Sequence, residues 1–193
     1  MRELVLASSS PYRAELLTRL GLPFECRSPD VDETPAPGEA PEAQVRRLAL
    51  DKARAVAARH PHALVIGSDQ VAVCGDEVLG KPGSAARARE QLTRLSGRSV
   101  TFLTSLCLLD APGVTHQLAV VPTRVRFRRL GAAEIGNYVD RERPLDCAGA
   151  FKSEGLGIAL FEAIEGRDPT ALIGLPLIEL CRMLRHAGVH VLG

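Results

Sequence analysis

The sequence predicts an α/β protein built on a mixed, twisted sheet that is flanked by helices. Short apolar, strand-like runs alternate along the chain with amphipathic helical patterns, an order typical of α/β proteins. Two turn-like segments, residues 74–77 and 111–113, join neighbouring strand-like runs as hairpins, so part of the sheet should be antiparallel. The 193 residues are 46% hydrophobic, which suffices for one domain with a sizeable core.

The individual elements follow from hydrophobic periodicity. Strands are predicted where apolar and β-branched residues run together, and helices where apolar residues recur every three or four positions. The predicted strands are residues 3–7, 24–27, 63–73, 99–109 and 114–128. The predicted helices are residues 11–20, 41–59, 84–95, 132–141 and 176–187. The proline- and glycine-rich stretch 33–41 predicts a loop beside acidic residues.

Composition and charge exclude several classes of protein. The net charge of +1 argues against a protein built to bind nucleic acid or an anionic membrane. No run of about 18 apolar residues is present, so no membrane-spanning helix is expected. The N-terminal residues lack the basic, then apolar, then small-residue pattern of a signal peptide.

The cysteines and histidines predict neither disulfides nor a zinc site. Five cysteines form an odd, scattered set without a CxxC motif, which is typical of reduced packing residues in a cytoplasmic protein. The five histidines show no zinc-ligand spacing.

The first strand-to-helix turn contains three serines, residues 8–10, followed by Pro11. Ser10 suits the N-cap and Pro11 the first helical position. Arg13 falls in the first turn, where the helix dipole mildly disfavours a cation. Hydroxyls, free N–H groups and a guanidinium together would hold a phosphate well. An ordinary capped helix with a solvent-facing arginine fits the same residues.

Lys52 lies on the apolar face of the second predicted helix, four residues after Leu48 and seven after Val45. A lysine at such a position either extends its amine to water or meets a negative partner. The second outcome would point to a buried anion.

Asp69 interrupts the long apolar strand predicted over residues 63–73. A carboxylate there is unfavourable unless it is paired or binds a metal. A turn or capping role fits less well, because residues 71–73 continue the apolar run. Gln70 points to the opposite face of the strand, where it is either a second site residue or an ordinary surface residue.

Two further segments carry weaker signals. Lys81 stands between Gly80, which allows a ligand to approach the backbone, and Pro82, but a surface loop would have the same pattern. Asp30, Asp32 and Glu33 offer the oxygen ligands that Mg²⁺ or Mn²⁺ prefers. Acidic turns of this kind are equally common as solvated surface.

The glycine-rich segment 147–168 contains Lys152 and Glu154. It lacks a third spaced glycine and a following helix, so it is no dinucleotide-binding fingerprint. Neither a phosphate-binding GxxxxGK[ST] loop nor a GxSxG nucleophile motif occurs in the chain.

Three alternating arginines, Arg124, Arg126 and Arg128, share one face of a predicted strand. Without interleaved aromatic residues, a solvated edge strand is favoured over a nucleic-acid surface.

Taken in order, the motifs "LASSSPYR", "VDET", "DKA", "GSDQV" and "GKP" resemble the Maf family of nucleoside-triphosphate pyrophosphatases. The similarity continues through "CAGAFKSEG" and "GLPL" and covers nearly the whole chain. It implies one domain, residues 1–193, with an elongated, two-lobed fold and a central cleft, similar to enzymes that clear inosine triphosphate. It also implies a homodimer and cleavage of a nucleotide between its α- and β-phosphates with a divalent cation.

The resemblance assigns roles to the residues that stood out above. Asp69 would be the catalytic base and Glu33 the ligand of Mg²⁺, Mn²⁺ or Co²⁺. The residues expected to bind the triphosphate are Ser9, Ser10, Arg13, Lys52 and Lys81.

Tyr12, Gln70 and Glu154 indicate the branch of the family. The branch acting on dTTP and UTP usually has arginine, threonine and glutamine there, whereas this chain is similar to the branch acting on 7-methyl-GTP. A glutamate can accept hydrogen bonds from both guanine N1–H and the exocyclic amine, and the cationic methylated base favours a carboxylate and an aromatic ring. The expected role is removal of modified or surplus nucleotides. The alternatives are a dTTP/UTP pyrophosphatase and a nucleotide-binding regulator of septum formation.

Overall fold

The computed structural model describes residues 2–112 and 115–193. In this part of the chain, seven strands and five α-helices alternate, so the predicted α/β class is confirmed. The strands are β1 (Leu4–Ala7), β2 (Glu25–Arg27), β3 (Leu64–Cys74), β4 (Glu77–Leu79), β5 (Ser99–Asp110), β6 (Thr115–Phe127) and β7 (Phe161–Gly166). The helices are α1 (Pro11–Thr18), α2 (Pro41–Ala57), α3 (Ala85–Leu95), α4 (Ala132–Glu142) and α5 (Leu177–His186). Short 3₁₀ helices cover Ala148–Ala150, Leu156–Leu160 and Ala171–Ile173.

The sheet is mixed, as predicted. Its strand order is β2-β1-β3-β5-β6-β7, and β4 pairs with β3 outside this path. Strand β1 is parallel to β2 and β3, whereas β3 with β4 and β6 with β7 are antiparallel. The predicted turn at residues 74–77 is confirmed, because Cys74 pairs with Glu77 across a tight hairpin. The turn predicted at residues 111–113 includes Gly113, which lies outside the described residues.

The structure corrects two points. Strand β7 was not predicted, because most of its residues are exposed and it lies in a glycine-rich segment. As β6 therefore lies between β5 and β7, the edge-strand interpretation of the alternating arginines is wrong. Their solvated face is nevertheless present: Arg124 and Arg126 are exposed, and Arg126 forms a 3.0 Å ion pair with Glu162 of β7.

The chain divides into two compact units. The first comprises Met1–Gln70, Thr104–Val121 and Asp168–Gly193, and the second comprises Val71–Leu103 and Pro122–Arg167. Strands β3, β5 and β6 each contribute residues to both units.

The core of the first unit lies on both faces of its strands. Alternate residues of β1 and β3 point to opposite faces, as the pleat requires. On one face Leu4, Leu6, Leu64 and Ile66 belong to a buried cluster with residues of α1 and α5, including Leu16, Leu17, Leu180 and Leu184. On the other face Val5, Ala7 and Val65 belong to a cluster with Ala49, Ala53 and Val56 of α2.

Aromatic residues dominate the core of the second unit. Four of the chain's five phenylalanines pack edge to face, with ring centroids 4.8 to 5.6 Å apart, a geometry that aromatic rings favour. They are Phe102, Phe127, Phe151 and Phe161. Among the described residues, no helix combines the length and apolar character needed to cross a membrane.

Candidate active site

Helix α2 lies directly against strand β3 at Gly67. A Cβ atom at this position would be 2.0 Å from the carbonyl oxygen of Ala49 and 3.0 Å from the amide nitrogen of Ala53. Glycine is therefore required for this close approach. The contact brings Lys52 of α2 beside Asp69, two residues beyond Gly67.

Lys52 is a buried cation shared by two carboxylates. Its side chain is only 6% exposed, and Nζ lies 2.7 Å from Asp69 Oδ1 and 2.7 Å from Glu33 Oε1. The sequence left open whether the Lys52 amine extends to water or meets a negative partner. In the structure it meets two negative partners. The Asp69 side chain is 12% exposed, whereas that of Glu33 is 61% exposed.

Two serine hydroxyls attach β3 to its neighbours at Asp69. Its amide donates to Ser105 Oγ at 3.2 Å, and Ser105 Oγ donates to the carbonyl of Val45 on α2 at 2.6 Å. Ser68 Oγ lies 2.8 Å from the Ser105 carbonyl and 3.0 Å from that of Gly174. These contacts tie β3 to β5, α2 and the segment before α5, and so restrict the position of the carboxylate.

The turn after β1 is organised by two of its three serines. Ser10 Oγ accepts the Arg13 amide at 3.4 Å and caps α1, as predicted. Ser8 is buried, and its Oγ accepts the Ser10 amide at 3.1 Å. Ser9, the predicted phosphate ligand between them, is exposed. Sequence reasoning did not single out Ser8, since nothing but its place in the serine run distinguishes it.

Arg13 is held inside the first unit, so the interpretation as a solvent-facing arginine is wrong. Its Nε donates to the Gly174 carbonyl at 2.9 Å, and Nη1 lies 3.5 Å from Ser8 Oγ. Burial lowers the pKa of the guanidinium, and the negative charges of Asp69 and Glu33 oppose that shift. An arginine remains charged at neutral pH even so. Arg13 and Lys52 therefore place positive charge near the same two carboxylates.

Gln70 is partly buried and makes contacts within the first unit. Its Nε2 lies 2.8 Å from Thr104 Oγ1, 3.0 Å from the Ala171 carbonyl and 3.1 Å from the Leu172 carbonyl. The amide thus connects β3 with the 3₁₀ helix before α5, and the plain-surface alternative does not apply. Tyr12, in the first turn of α1, is also partly buried.

The loop that carries Glu33 is attached to α2. Arg47 Nε and Nη2 each donate to the Glu39 carboxylate at 2.7 Å, and Nη2 lies 3.2 Å from the Thr34 carbonyl. The hydrogen bonds from Arg47, together with the Ala36 amide, lower the pKa of Glu39 to about 2. This two-pronged contact restrains the loop immediately after Glu33.

Two predicted site residues belong to the second unit. Lys81 is exposed in the loop after β4, beside buried Pro82. Glu154 is exposed, and its Oε2 accepts a 3.3 Å hydrogen bond from Ser153. The other eight predicted residues lie in the first unit, where Arg13, Glu33, Lys52 and Asp69 come together.

The donor set was tested for its fit to a divalent cation. In the part of the chain that the structure describes, no group of three or more His, Cys, Asp or Glu side chains is arranged to hold a metal. Glu33 and Asp69 supply two carboxylates, both bonded to Lys52. Mg²⁺ is commonly held by one or two carboxylates together with substrate phosphates, so these residues fit a cation that binds with a polyphosphate.

Known proteins resemble this chain over most of its length. A model of the family described as Maf-like protein matches residues 3–187. The 7-methyl-GTP pyrophosphatase of Nitrosococcus oceani is 58% identical over 189 residues, which cover 98% of this chain and 95% of that protein. The 7-methyl-GTP pyrophosphatase of Pseudomonas aeruginosa is 57% identical over 191 residues, covering 99% and 100%. The solved structure of the Staphylococcus aureus Ham1 protein aligns with a TM-score of 0.49 at 17% identity, covering 79% of this chain and 88% of that one. With its family model matched from residue 3 to residue 187, this chain belongs to the Maf-like proteins.

Proposed function

We propose that this protein hydrolyses 7-methyl-GTP between the α- and β-phosphates, releasing 7-methyl-GMP and pyrophosphate. The observation that carries the proposal is the buried Lys52 ammonium between Asp69 and Glu33, with the Arg13 guanidinium nearby. Relatives that are 57% and 58% identical over almost the full chain bear the name 7-methyl-GTP pyrophosphatase, which supports this choice of substrate.

The cations and hydroxyls of the site suit a triphosphate. Arg13 and Lys52, with Lys81 from the second unit, would neutralise the charge of the phosphate chain and the charge that grows on the leaving pyrophosphate. Ser10 Oγ already accepts the Arg13 amide, so its own proton is available to a phosphate oxygen. The exposed Ser9 hydroxyl can donate in the same way.

In this proposal Asp69 is the general base. Lys52 holds Oδ1, which leaves Oδ2 to accept a proton from a water molecule. The water oxygen bonds to the α-phosphorus, and the bond from that phosphorus to the bridging oxygen breaks. Pyrophosphate leaves with the electron pair, and the nucleoside monophosphate remains as the second product.

Glu33 and Asp69 would hold the divalent cation, Mg²⁺, Mn²⁺ or Co²⁺, together with phosphate oxygens. When bound, it supplies positive charge for the developing pyrophosphate. Lys52, which contacts both carboxylates, would contribute a further positive charge beside the substrate.

The residues proposed to recognise the base are Glu154, Tyr12 and Gln70. The Glu154 carboxylate would accept the guanine N1–H and the exocyclic amine, a pair of donors that uracil and thymine lack. Tyr12 would stack on the cationic methylated base, a contact worth about 0.5 to 2 kcal/mol. Gln70 would act through the 3₁₀ helix that its amide holds.

A nucleotide panel tests the proposal. Pyrophosphate release from 7-methyl-GTP, GTP, UTP and dTTP is measured with Mg²⁺, Mn²⁺ and Co²⁺ in turn. The expected kcat/KM for 7-methyl-GTP exceeds that for UTP by at least about tenfold, because each well-placed hydrogen bond to the base discriminates strongly. Preference for dTTP and UTP would contradict the proposed substrate. Tight nucleotide binding without turnover would instead indicate a regulator.

Asp69→Asn tests the role of the base in the same assay. We expect kcat to fall by at least about 100-fold while nucleotide affinity stays close to that of the parent, because the amide cannot accept the proton. Asp76→Asn, in the exposed β3–β4 turn, is the matched control and should retain parental activity. Full activity of Asp69→Asn would remove Asp69 from the mechanism.

A further inference from the structure

The segment that carries Glu154 is attached at both ends to helix α4. The Lys152 amide donates to the Tyr138 hydroxyl at 3.0 Å, and the Leu156 amide donates to Glu142 Oε2 at 2.8 Å. Tyr138 and Glu142 are four residues apart and therefore share one face of the helix. Glu154 lies midway between the two attached amides.

Both anchoring side chains are well enclosed. Tyr138 is only 6% exposed, and burial raises the pKa of its phenol, so the hydroxyl stays neutral and accepts the amide through a lone pair. The Glu142 side chain is 17% exposed. The hydrogen bond to Tyr138 is partly buried, whereas that from the Leu156 amide to Glu142 lies at the surface.

Glu142 also restricts the segment through charge and through shape. Lys152 Nζ lies 3.4 Å from the Glu142 carbonyl and 4.0 Å from its Oε1. A Cβ atom at Gly155 would lie 2.7 and 2.9 Å from the two Glu142 carboxylate oxygens. The residue directly after Glu154 is therefore packed against the carboxylate that anchors Leu156.

We propose that Tyr138 and Glu142 are positioning residues that determine base selectivity, because they fix the backbone on which Glu154 stands. The inference rests on the proposed function, in which Glu154 recognises the guanine edge. A carboxylate that accepts two parallel N–H bonds must be held within about 0.5 Å of its working position. Loosening the segment should therefore reduce selectivity, while Asp69 and Lys52 in the first unit keep their arrangement.

The test compares kcat and KM for 7-methyl-GTP and UTP in Glu142→Ala, Tyr138→Phe and the parent. In both variants we expect the selectivity ratio, kcat/KM for 7-methyl-GTP over that for UTP, to fall about tenfold, mainly through a higher KM for 7-methyl-GTP. The kcat/KM for UTP should stay within about twofold of the parent, since UTP makes no use of the Glu154 hydrogen bonds. Thermal unfolding checks that each variant is folded, and Tyr138→Phe conserves the shape of the core.

Two matched variants separate anchoring from general damage to α4. Glu142→Gln keeps an oxygen that can accept a hydrogen bond from the Leu156 amide, so its selectivity ratio should be close to that of the parent. Asp140→Asn, on the same helix, loses only an exposed ion pair with Arg89 and should keep the parental ratio. An Asp140→Asn effect equal to that of Glu142→Ala would contradict a specific anchor.

A double-mutant cycle examines the contact between Gly155 and Glu142. Gly155→Ala alone should lower the selectivity ratio, because its new methyl group would clash with the Glu142 carboxylate. In the Glu142→Ala background the same change should add little, since the obstructing oxygens are gone. Additive effects would overturn the coupling.

Amide hydrogen exchange gives a readout that does not depend on turnover. The Leu156 amide should exchange faster in Glu142→Ala than in the parent. If the parent protein shows no preference for 7-methyl-GTP, both the proposed function and this inference are wrong. A parental preference that Glu154→Gln abolishes but Glu142→Ala and Tyr138→Phe leave intact overturns this inference alone.

Discussion

The charge balance of the candidate site depends on Lys52. Without it, Asp69 would be a largely buried carboxylate with no partner at Oδ1. Removal of one partner from a buried ion pair is strongly destabilising, whereas exposed pairs contribute little. The contact with Asp69 therefore matters for stability far more than the contact with exposed Glu33.

We expect Lys52→Met to lower the free energy of unfolding by about 3 kcal/mol, because methionine fills the space of the lysine stem but leaves Asp69 unpaired. Millimolar Mn²⁺ should then raise the Tm of the variant more than that of the parent, since a cation can replace the ammonium between the carboxylates. Thermal unfolding with MnCl₂ and with EDTA measures both effects. Equal Mn²⁺ shifts in variant and parent would contradict the idea that Lys52 occupies the cation position.

Lys81→Met is the control for that experiment. Lys81 is an exposed lysine in the second unit, so its loss should change neither the Tm nor the response to Mn²⁺.

Sequence reasoning found the residues of the site that conflict with their surroundings. Lys52 and Asp69 each interrupt an apolar pattern, so their burial demands partners. Ser68 and Ser105 were missed because a hydroxyl causes no such conflict in a strand. Ser105 bonds the Asp69 amide, and Ser68, the residue before Asp69, bonds the Ser105 carbonyl. Neither their contacts nor the choice of Glu33 among three acidic residues can be derived from periodicity.

At the scale of elements, the contact of α2 with β3 at Gly67 decides whether Lys52 reaches Asp69. A methyl group at Gly67 would meet main-chain atoms of α2, which cannot rotate away as a side chain can. The helix would have to move outward, and the pair would separate.

Gly67→Ala should therefore lower the free energy of unfolding by about 3 kcal/mol or more and abolish pyrophosphate release. Gly136→Ala is the matched control: a Cβ at this helical glycine meets nothing within 4 Å, so it should stabilise the protein by about 0.4 to 1 kcal/mol. Urea unfolding and the pyrophosphate assay measure both variants. A Gly67→Ala protein with parental stability would show that the helix–strand distance is not restrictive.

Elements with strong periodicity were predicted well, and the others were not. Every predicted helix agrees with an observed one to within two residues at each end. Strand β7 escaped prediction because most of its residues are exposed and its formation depends on pairing with β6, as between Arg126 and Ala163. Local propensity contains no information on such pairing.

At the scale of the whole molecule, the residues that indicate the substrate are distributed over both compact units. Tyr12 and Gln70 belong to the first unit and Glu154 to the second. If the three act together on the base, replacement within one unit should only weaken the preference, and a switch to UTP should require replacement of residues in both units.

The triple variant Tyr12→Arg/Gln70→Thr/Glu154→Gln should therefore shift preference from 7-methyl-GTP towards UTP, by about tenfold or more in the ratio of kcat/KM. It should also be less stable, because threonine cannot reproduce the Gln70 contacts with the Ala171 and Leu172 carbonyls. Thr104 Oγ1 still donates to the Ala171 carbonyl at 2.9 Å, so the unpaired group is that of Leu172, with an expected loss of about 1 to 3 kcal/mol.

The double variant Tyr12→Arg/Glu154→Gln separates these two effects. It retains Gln70 and should lose less stability than the triple variant, while it shows most of the change in preference if Tyr12 and Glu154 are the main determinants. Steady-state kinetics with UTP and 7-methyl-GTP, together with thermal unfolding, measure both properties on the same preparations. If the triple variant switches substrate and the double variant does not, Gln70 is itself required for base selectivity. A full preference for 7-methyl-GTP in both variants would instead exclude these three positions as the determinants of specificity.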